Sequence, residues 1–203
     1  MTWNYAPGIG HDLGLRTECV TTPLPDGGSL SSWATFSPDL IYRYALARIW
    51  DDHGTMLVVC GLNPSTADHE VTDPTLRKLL HVAKRDHYGG LILVNVAAFR
   101  AADPTELVRG PKFGSEVAGP HNQEVIRRAL DMPLLARAVA AWGSPKWAAI
   151  RPLIRNAKTT GARRTWDHCL GVTKAGHPRH PLYLRNDTAI RPWTPDEARR
   201  AAA

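Results

Sequence analysis

Thr55-Met56-Leu57-Val58-Val59-Cys60-Gly61-Leu62-Asn63-Pro64-Ser65-Thr66-Ala67-Asp68 joins an apolar run to a polar turn. Consecutive apolar residues without polar alternation describe a strand buried on both faces. The Asn63-Pro64-Ser65 turn ends that strand. Shortly after it, Asp73-Pro74-Thr75 opens a helix, with Asp as N-cap and Pro at the first helical position. Leu76, Leu79, Leu80 and Ala83 then recur at helical spacing, and Gly89 or Gly90 stops the helix. A second buried strand follows at residues 91–96.

Working outward, the pattern predicts a helix at 122–130, a strand at 136–142, a helix at 145–158 and a strand at 165–172. Thr194-Pro195-Asp196-Glu197 is a capping box for a short C-terminal helix. Upstream, the Asp51-Asp52-His53-Gly54 turn suggests a β-hairpin joining residues 41–50 to 55–61. Residues 1–38, rich in Gly, Pro, Ser and Thr, read as an N-terminal arm with a short strand near 18–22. Residues 39–203 read as a single domain. Alternating strands and helices predict an α/β fold, a three-layer αβα sandwich with a mostly parallel central sheet. Ligands in such folds bind beyond the carboxyl ends of the strands.

The 203 residues, 43% hydrophobic and 22% charged, suit one substantial core. The apolar runs are too short to cross a bilayer, and the N-terminus lacks a secretory pattern. Cys19, Cys60 and Cys169 are scattered, as expected of reduced thiols in a cytoplasmic protein. No CxxC, HxxxH or HExxH spacing favours a metal, so neither metal nor cofactor is expected. A formal charge of +6 permits a polyanionic partner. Arg151, Arg155, Lys158, Arg163, Arg164, Lys174, Arg179, Arg185 and Arg191 crowd the last quarter of the chain, which solvated faces explain equally well.

Polar and turn-forming residues fall at the expected strand ends: Asn63, Asn95 within Leu93-Val94-Asn95-Val96, Trp142-Gly143-Ser144 and His180-Pro181. A buried asparagine needs partners for both donors and acceptor, so Asn95 is expensive without a purpose. Gly61-Leu62-Asn63-Pro64-Ser65 resembles the first motif of the uracil-DNA glycosylase superfamily. Leu91-Ile92-Leu93-Val94-Asn95 resembles its base-reading strand, Val139-Ala140-Ala141-Trp142-Gly143-Ser144 its LLWG segment, and His180-Pro181-Leu182-Tyr183-Leu184 its second motif. The chain also resembles an uncharacterised family of bacterial and phage proteins with YRY, LNPSTAD, DPT, GP-x-N, WG and HPLYL motifs, over roughly residues 40–185.

The superfamily resemblance implies a uracil-DNA-glycosylase-like fold and a pocket for an extruded base. Asn63 would orient a water, Asn95 would contact the base, and His180 would donate to its departing oxygen. Asp68 or Asp73 would supply a carboxylate, although capping explains Asp73 as well. Pro64 and Ser65 would border the base, and Tyr44, Tyr42 or Phe99 would stack on it. Asn122 opens a helix that could face a phosphate, or it simply caps that helix. Leu182, Tyr183 and Leu184 could wedge into a base stack, with Arg179, Arg185 and Lys174 on the nucleic-acid backbone. Leu182 and Tyr183 depart from the HPSPLS pattern, which weakens uracil as the substrate. The leading expectation is a monomeric DNA glycosylase-like hydrolase of a possibly modified base. The alternatives are an enzyme acting on a free nucleoside or nucleotide, and a non-catalytic reader of modified bases.

Overall fold

The computed structural model describes residues 9–109, 114–145, 147–159 and 164–194. The segment carrying the expected C-terminal helix beyond Thr194, together with Arg163, lies outside the described residues.

Strands β1 (Arg16–Pro23), β2 (Ser29–Phe36), β3 (Arg43–Ile49), β4 (Met56–Gly61), β5 (Gly90–Asn95), β6 (Leu135–Ala140), β7 (His168–Cys169) and β8 (Arg191–Pro192) form one sheet. Their spatial order is β1-β2-β3-β5-β4-β6-β7-β8. Every residue of β4 and β5 is buried, as their unbroken apolar character requires. These two strands pair in parallel from Met56↔Gly90 to Gly61↔Asn95. β6 lies parallel to β4 on its other side, and β7 lies parallel to β6.

Helices α1 (Pro74–Arg85), α2 (Glu106–Arg109), α3 (Asn122–Leu130) and α4 (Arg151–Thr159) fall between these strands. Successive strand residues point to opposite faces, and two apolar clusters result. On one face, Leu57, Val59, Leu91 and Leu93 meet Leu76, Leu79, Val82 and Ala83 of α1. On the other, Val58, Cys60, Ile92 and Val94 meet α3 through Val125, Ile126 and Ala129, and α4 through Leu153, Ile154 and Ala157. Leu76 and Leu79 are each 1% exposed. Burying a leucine so completely stabilises by about 1.5–3 kcal/mol.

The α/β class and the covering of both sheet faces match the sequence expectation; the mostly parallel sheet does not. β1–β2, β2–β3, β3–β5 and β7–β8 pair antiparallel, so antiparallel pairings outnumber parallel ones. The strand–helix alternation covered only the unit from β4 to β7. The strands added outside it are joined by short turns or lie at the sheet's end, and short turns link antiparallel strands. The expected β3–β4 hairpin is likewise replaced. β5 lies between the two strands, and the turn that leaves β3 crosses its end, where Trp50 and Asp51 N–H donate to the Gly89 carbonyl at 3.0 and 2.9 Å. The strand expected near 18–22 lies within β1, and β2 follows it.

Within the parallel unit the order is β5-β4-β6-β7, so the chain steps from β4 to one side and then returns past it to the other. The connections that leave β4 and β6 therefore run in opposite directions across the sheet. A crevice opens at such a reversal, between the carboxyl ends of β4 and β6. Among the described residues, no helix is long and apolar enough to cross a membrane.

Candidate functional site

A cavity of about 630 Å³ occupies that crevice on the α1 face, within the size range of small-molecule sites. Asn63, Ser65, Asn95 and His180 line it, together with Arg43, Asp73, Thr75 and Trp142.

β4 ends at Gly61, opposite Asn95 of β5. A Cβ on Gly61 would lie 2.7 Å from Asn95 Oδ1, so the missing side chain makes room for the amide. Asn95 is 2% exposed, and its Nδ2 has no hydrogen-bond partner. An orphaned buried amide costs about 1–3 kcal/mol. Asn122 acts from behind: its Nδ2 donates to the backbone carbonyls of Asn95 and Val96 at 2.9 and 3.0 Å. It fixes the end of β5 and does not line the cavity.

Residues 62–72 loop from β4 to α1. Asn63 Nδ2 donates to the carbonyls of Ala101 at 2.8 Å and Pro64 at 3.0 Å, which leaves Oδ1 as the acceptor for the cavity. Pro64 is buried, and its carbonyl takes the Ala101 N–H at 2.9 Å. Two buried arginines hold the loop from below. Arg43 Nη1 donates to the Ala67 carbonyl, and Arg48 Nη2 donates to the Asp68 carbonyl at 2.5 Å.

Asp68 lies outside the cavity lining. Its carboxylate accepts the N–H groups of Glu70 and Val71 at 2.9 and 2.8 Å. Burial raises its pKa, but those two N–H groups, with His69 and Arg100 nearby, bring it below the usual carboxylate value. The cavity carboxylate is Asp73. One oxygen caps α1 by accepting Leu76 N–H at 2.7 Å, and the residue also borders the cavity.

Arg43 is 1% exposed, and its Nε has no partner. Burial pulls its pKa down to about 10, against the opposing charge of Asp73. His180 feels the same pair of effects. Burial moves it below the ordinary imidazole value, while Asp73 pushes it back up. Its Nδ1 accepts Leu182 N–H at 3.3 Å, which places the neutral ring's proton on Nε2. The site therefore offers a neutral imidazole donor at pH 7, beside an asparagine acceptor and a carboxylate.

Trp142 closes the β6 side. It is 1% exposed, meets Trp193 edge-on at 5.7 Å, and has no partner for Nε1. At the rim, a single 3₁₀ turn at Pro181–Tyr183 leaves Leu182 41% and Tyr183 84% exposed.

Other expected site residues lie elsewhere. Tyr44 is in the core of the opposite face, stacked on Tyr42 at 5.9 Å, and Phe99 packs against Tyr42 at 6.4 Å. Arg179 and Arg185 flank the His180 turn and are exposed; Arg179 Nε donates to the Val172 carbonyl and Arg185 pairs with Asp187. Lys174 is exposed in a turn whose Thr173 hydroxyl meets that of the cavity-lining Ser144 at 3.1 Å. Arg151 and Arg155 belong to α4, on the face opposite the cavity. The basic C-terminal quarter is thus divided between the two sides. Arg43 had no sequence signal as a ligand group, although an arginine between two tyrosines at the start of an apolar strand is itself unusual. Among the described residues, no group of three or more His, Cys, Asp or Glu could hold a metal ion.

The family model described as "Protein of unknown function (DUF1643)" matches residues 43–182. The chain belongs to this family. The matched span begins at Arg43 and ends at Leu182, and so takes in the cavity-lining residues except Tyr183. No curated protein matches the chain. Among solved structures, an acetyl xylan esterase from Paenibacillus sp. R4 is 14% identical, with a TM-score of 0.42 over 79% of this chain and 55% of that one. A putative acetyl xylan esterase from Bacteroides fragilis is also 14% identical, with a TM-score of 0.38 over 77% and 50% of the two chains. The chain spans about half the length of these structures, and likeness at this level carries no argument about fold or chemistry.

Proposed function

We propose that the cavity is a nucleobase pocket on a uracil-DNA-glycosylase-like core, and that the protein hydrolyses the N-glycosidic bond of a base, standard or modified, extruded from DNA. The observation that carries this reading is Asn95, a buried amide donor with no protein partner at a cavity wall. A heterocycle with a ring or exocyclic acceptor would satisfy it.

Breaking the glycosidic bond leaves negative charge on the base and positive charge on the sugar. The His180 Nε2–H would donate to the base as that charge develops. Asn63 Oδ1 would orient the attacking water, which an amide can position but hardly deprotonate. Asp73, and not Asp68, would supply the carboxylate that assists the water and balances the sugar's charge. Leu182 and Tyr183 would fill the space the base leaves, with Arg179 and Arg185 at phosphates.

The test is a screen of single- and double-stranded oligonucleotides carrying uracil and diverse modified bases. Released base is read by mass spectrometry and abasic sites by alkaline cleavage. Release by the wild type, abolished in Asn63→Ala and His180→Ala, is the expected outcome. Salt-dependent binding to DNA with no released base would replace hydrolysis by reading. Thermal stabilisation by mononucleotides, without DNA binding, would move the substrate to the free nucleotide.

A further inference from the structure

Arg43 poses a problem that the base reading leaves unsolved. A buried cation is stable only when it is paired or fully hydrogen-bonded. Arg43 is 1% exposed, yet its Nε has no partner, and among the described residues no carboxylate lies within ion-pair distance of it. Its neighbour on the same strand, Arg48, is 2% exposed and is held by the carbonyls of Ala47 and Asp68. Arg48 does not line the cavity, whereas Arg43 does.

The surrounding charges do not cancel. Asp73 and Asp68 act on Arg43 from one sign, and Arg48 and Arg100 from the other. Counting Arg43 itself, three cations face two carboxylates. The carboxylates are also partly engaged, Asp68 by its own turn and Asp73 by the α1 cap. The N-terminus of α1, a helix of 12 residues, borders the same end of the cavity through Asp73 and Thr75. Its positive end adds to the field there.

Position sets this group apart from the proposed base contacts. Arg43 lies on β3 and Trp142 follows β6, three strand spacings away across β5 and β4. At the usual strand separation the two backbones stand about 14 Å apart, so Arg43 and Trp142 border the cavity from opposite sides. A ligand seated on the Trp142 side can therefore extend toward Arg43 with a group beyond the ring.

We propose that the Arg43 end of the cavity is an oxyanion subsite, taking a phosphate or carboxylate borne by the ligand. The oxyanion completes the hydrogen bonding of the guanidinium and meets the positive end of α1. Two sources share this chemistry: the phosphate of a mononucleotide, and an acidic substituent on the base itself. The inference does not depend on glycosidic hydrolysis, although it shares the cavity with that reading.

Calorimetric titrations of the intact protein separate the possibilities. One arm compares each deoxynucleoside with its 5′-monophosphate; a second compares uracil with its 5- and 6-carboxylates; inorganic phosphate is the third probe. The proposal expects at least a tenfold gain in affinity from the added oxyanion in one of the first two arms, and the arm that shows it identifies the source. Arg43→Met should erase the gain, and Arg43→Lys should retain part of it. Should Arg43→Met fail to fold, wild-type titrations at two salt concentrations decide, since an oxyanion gain must shrink as salt rises. No gain in either arm, binding to none of the probes included, overturns the subsite. A gain that survives Arg43→Met in a folded protein overturns the assignment to Arg43. Tight binding of inorganic phosphate with nothing added by any base supports the subsite and counts against the base pocket.

Discussion

The close approach of Asn95 to Gly61 yields a prediction that needs no ligand. In Gly61→Ala the new Cβ would meet Asn95 Oδ1 at 2.7 Å, while its next neighbours, Asn95 Cγ and Leu93 Cδ1, lie at 3.8 Å. A carbon–oxygen contact wants roughly half an ångström more, so the conflict is with one atom and the amide must yield. Gly61 does not have a positive φ, so alanine costs nothing in backbone strain. Overpacking of a tight interior costs about 1–3 kcal/mol. In a chain of this length each kcal/mol moves Tm by about 2–4 °C. The assay is a double-mutant cycle by urea and thermal unfolding. Gly61→Ala alone should lower stability by that amount. In an Asn95→Ala background, where the opposing oxygen is gone, the penalty should fall to a few tenths of a kcal/mol, as expected of a coupling confined to touching residues. An undiminished penalty in that background would refute the view that Gly61 is glycine to seat the Asn95 amide.

Asn122→Ala should cost about 1–3 kcal/mol, because it strips the Asn95 and Val96 carbonyls of their buried donor; equilibrium urea unfolding measures it. Asp73→Ala should lose the α1 cap, at about 0.5–2 kcal/mol, whereas Asp73→Ser should keep most of the stability and lose only the charge. His180 should titrate below the ordinary imidazole value of 6.5, and lower still in Asp73→Asn, because the raising charge is removed; NMR of the ring protons reads both. Because the unfolded state takes up this proton first, His180 makes the fold less stable as pH falls from the unfolded value toward its folded one. His180→Gln should flatten that part of the stability–pH profile. Arg48→Met should speed hydrogen exchange in residues 62–72, whose Asp68 carbonyl it holds, and should leave exchange in β4 unchanged.

What the sequence revealed follows what is local. The start of α1 was readable because Asp73-Pro74 is a signal complete in adjacent residues, and the cap forms as written. β4 and β5 were readable because a strand buried on both faces has no polar position to obscure it. The strand neighbours were not readable. Nothing in residues 41–61 says that β5 will separate β3 from β4, since that depends on which edge reaches Arg48 and Ile49 across the sheet. The site divides the same way. Asn63 and Asn95 lie at the ends of readable strands, His180 lies well beyond the short β7, and all three line one cavity. Asp68 and Asp73 are five residues apart and chemically alike, so only the path of the loop could show that one carboxylate folds its own turn while the other borders the cavity. Tyr44 gave the opposite error: an aromatic near the motifs belongs to the other face of the sheet, because a one-residue step along a strand changes sides.

The cavity itself has an origin in register. On the α1 face, Val59, Leu93 and Val139 form one row across β4, β5 and β6 and pack beneath the helix. One pleat further toward the carboxyl ends, the same face carries Gly61, Asn95 and Ala141. Valine, leucine and valine thus give way to nothing, an amide and a methyl group. The helix cannot follow the sheet down into that step, because Asp73 and Pro74 start it there and the loop before it is tied to Arg43 and Arg48. The void is therefore enforced by both walls. Its one large group on the sheet is an amide whose donor is unmet, and its side wall holds a guanidinium in the same condition. Had the row served packing alone, a third tier of apolar side chains would have been the more stable solution. Stability has been given up twice among residues that border one cavity, so a ligand with acceptors at both ends is the economical account of both.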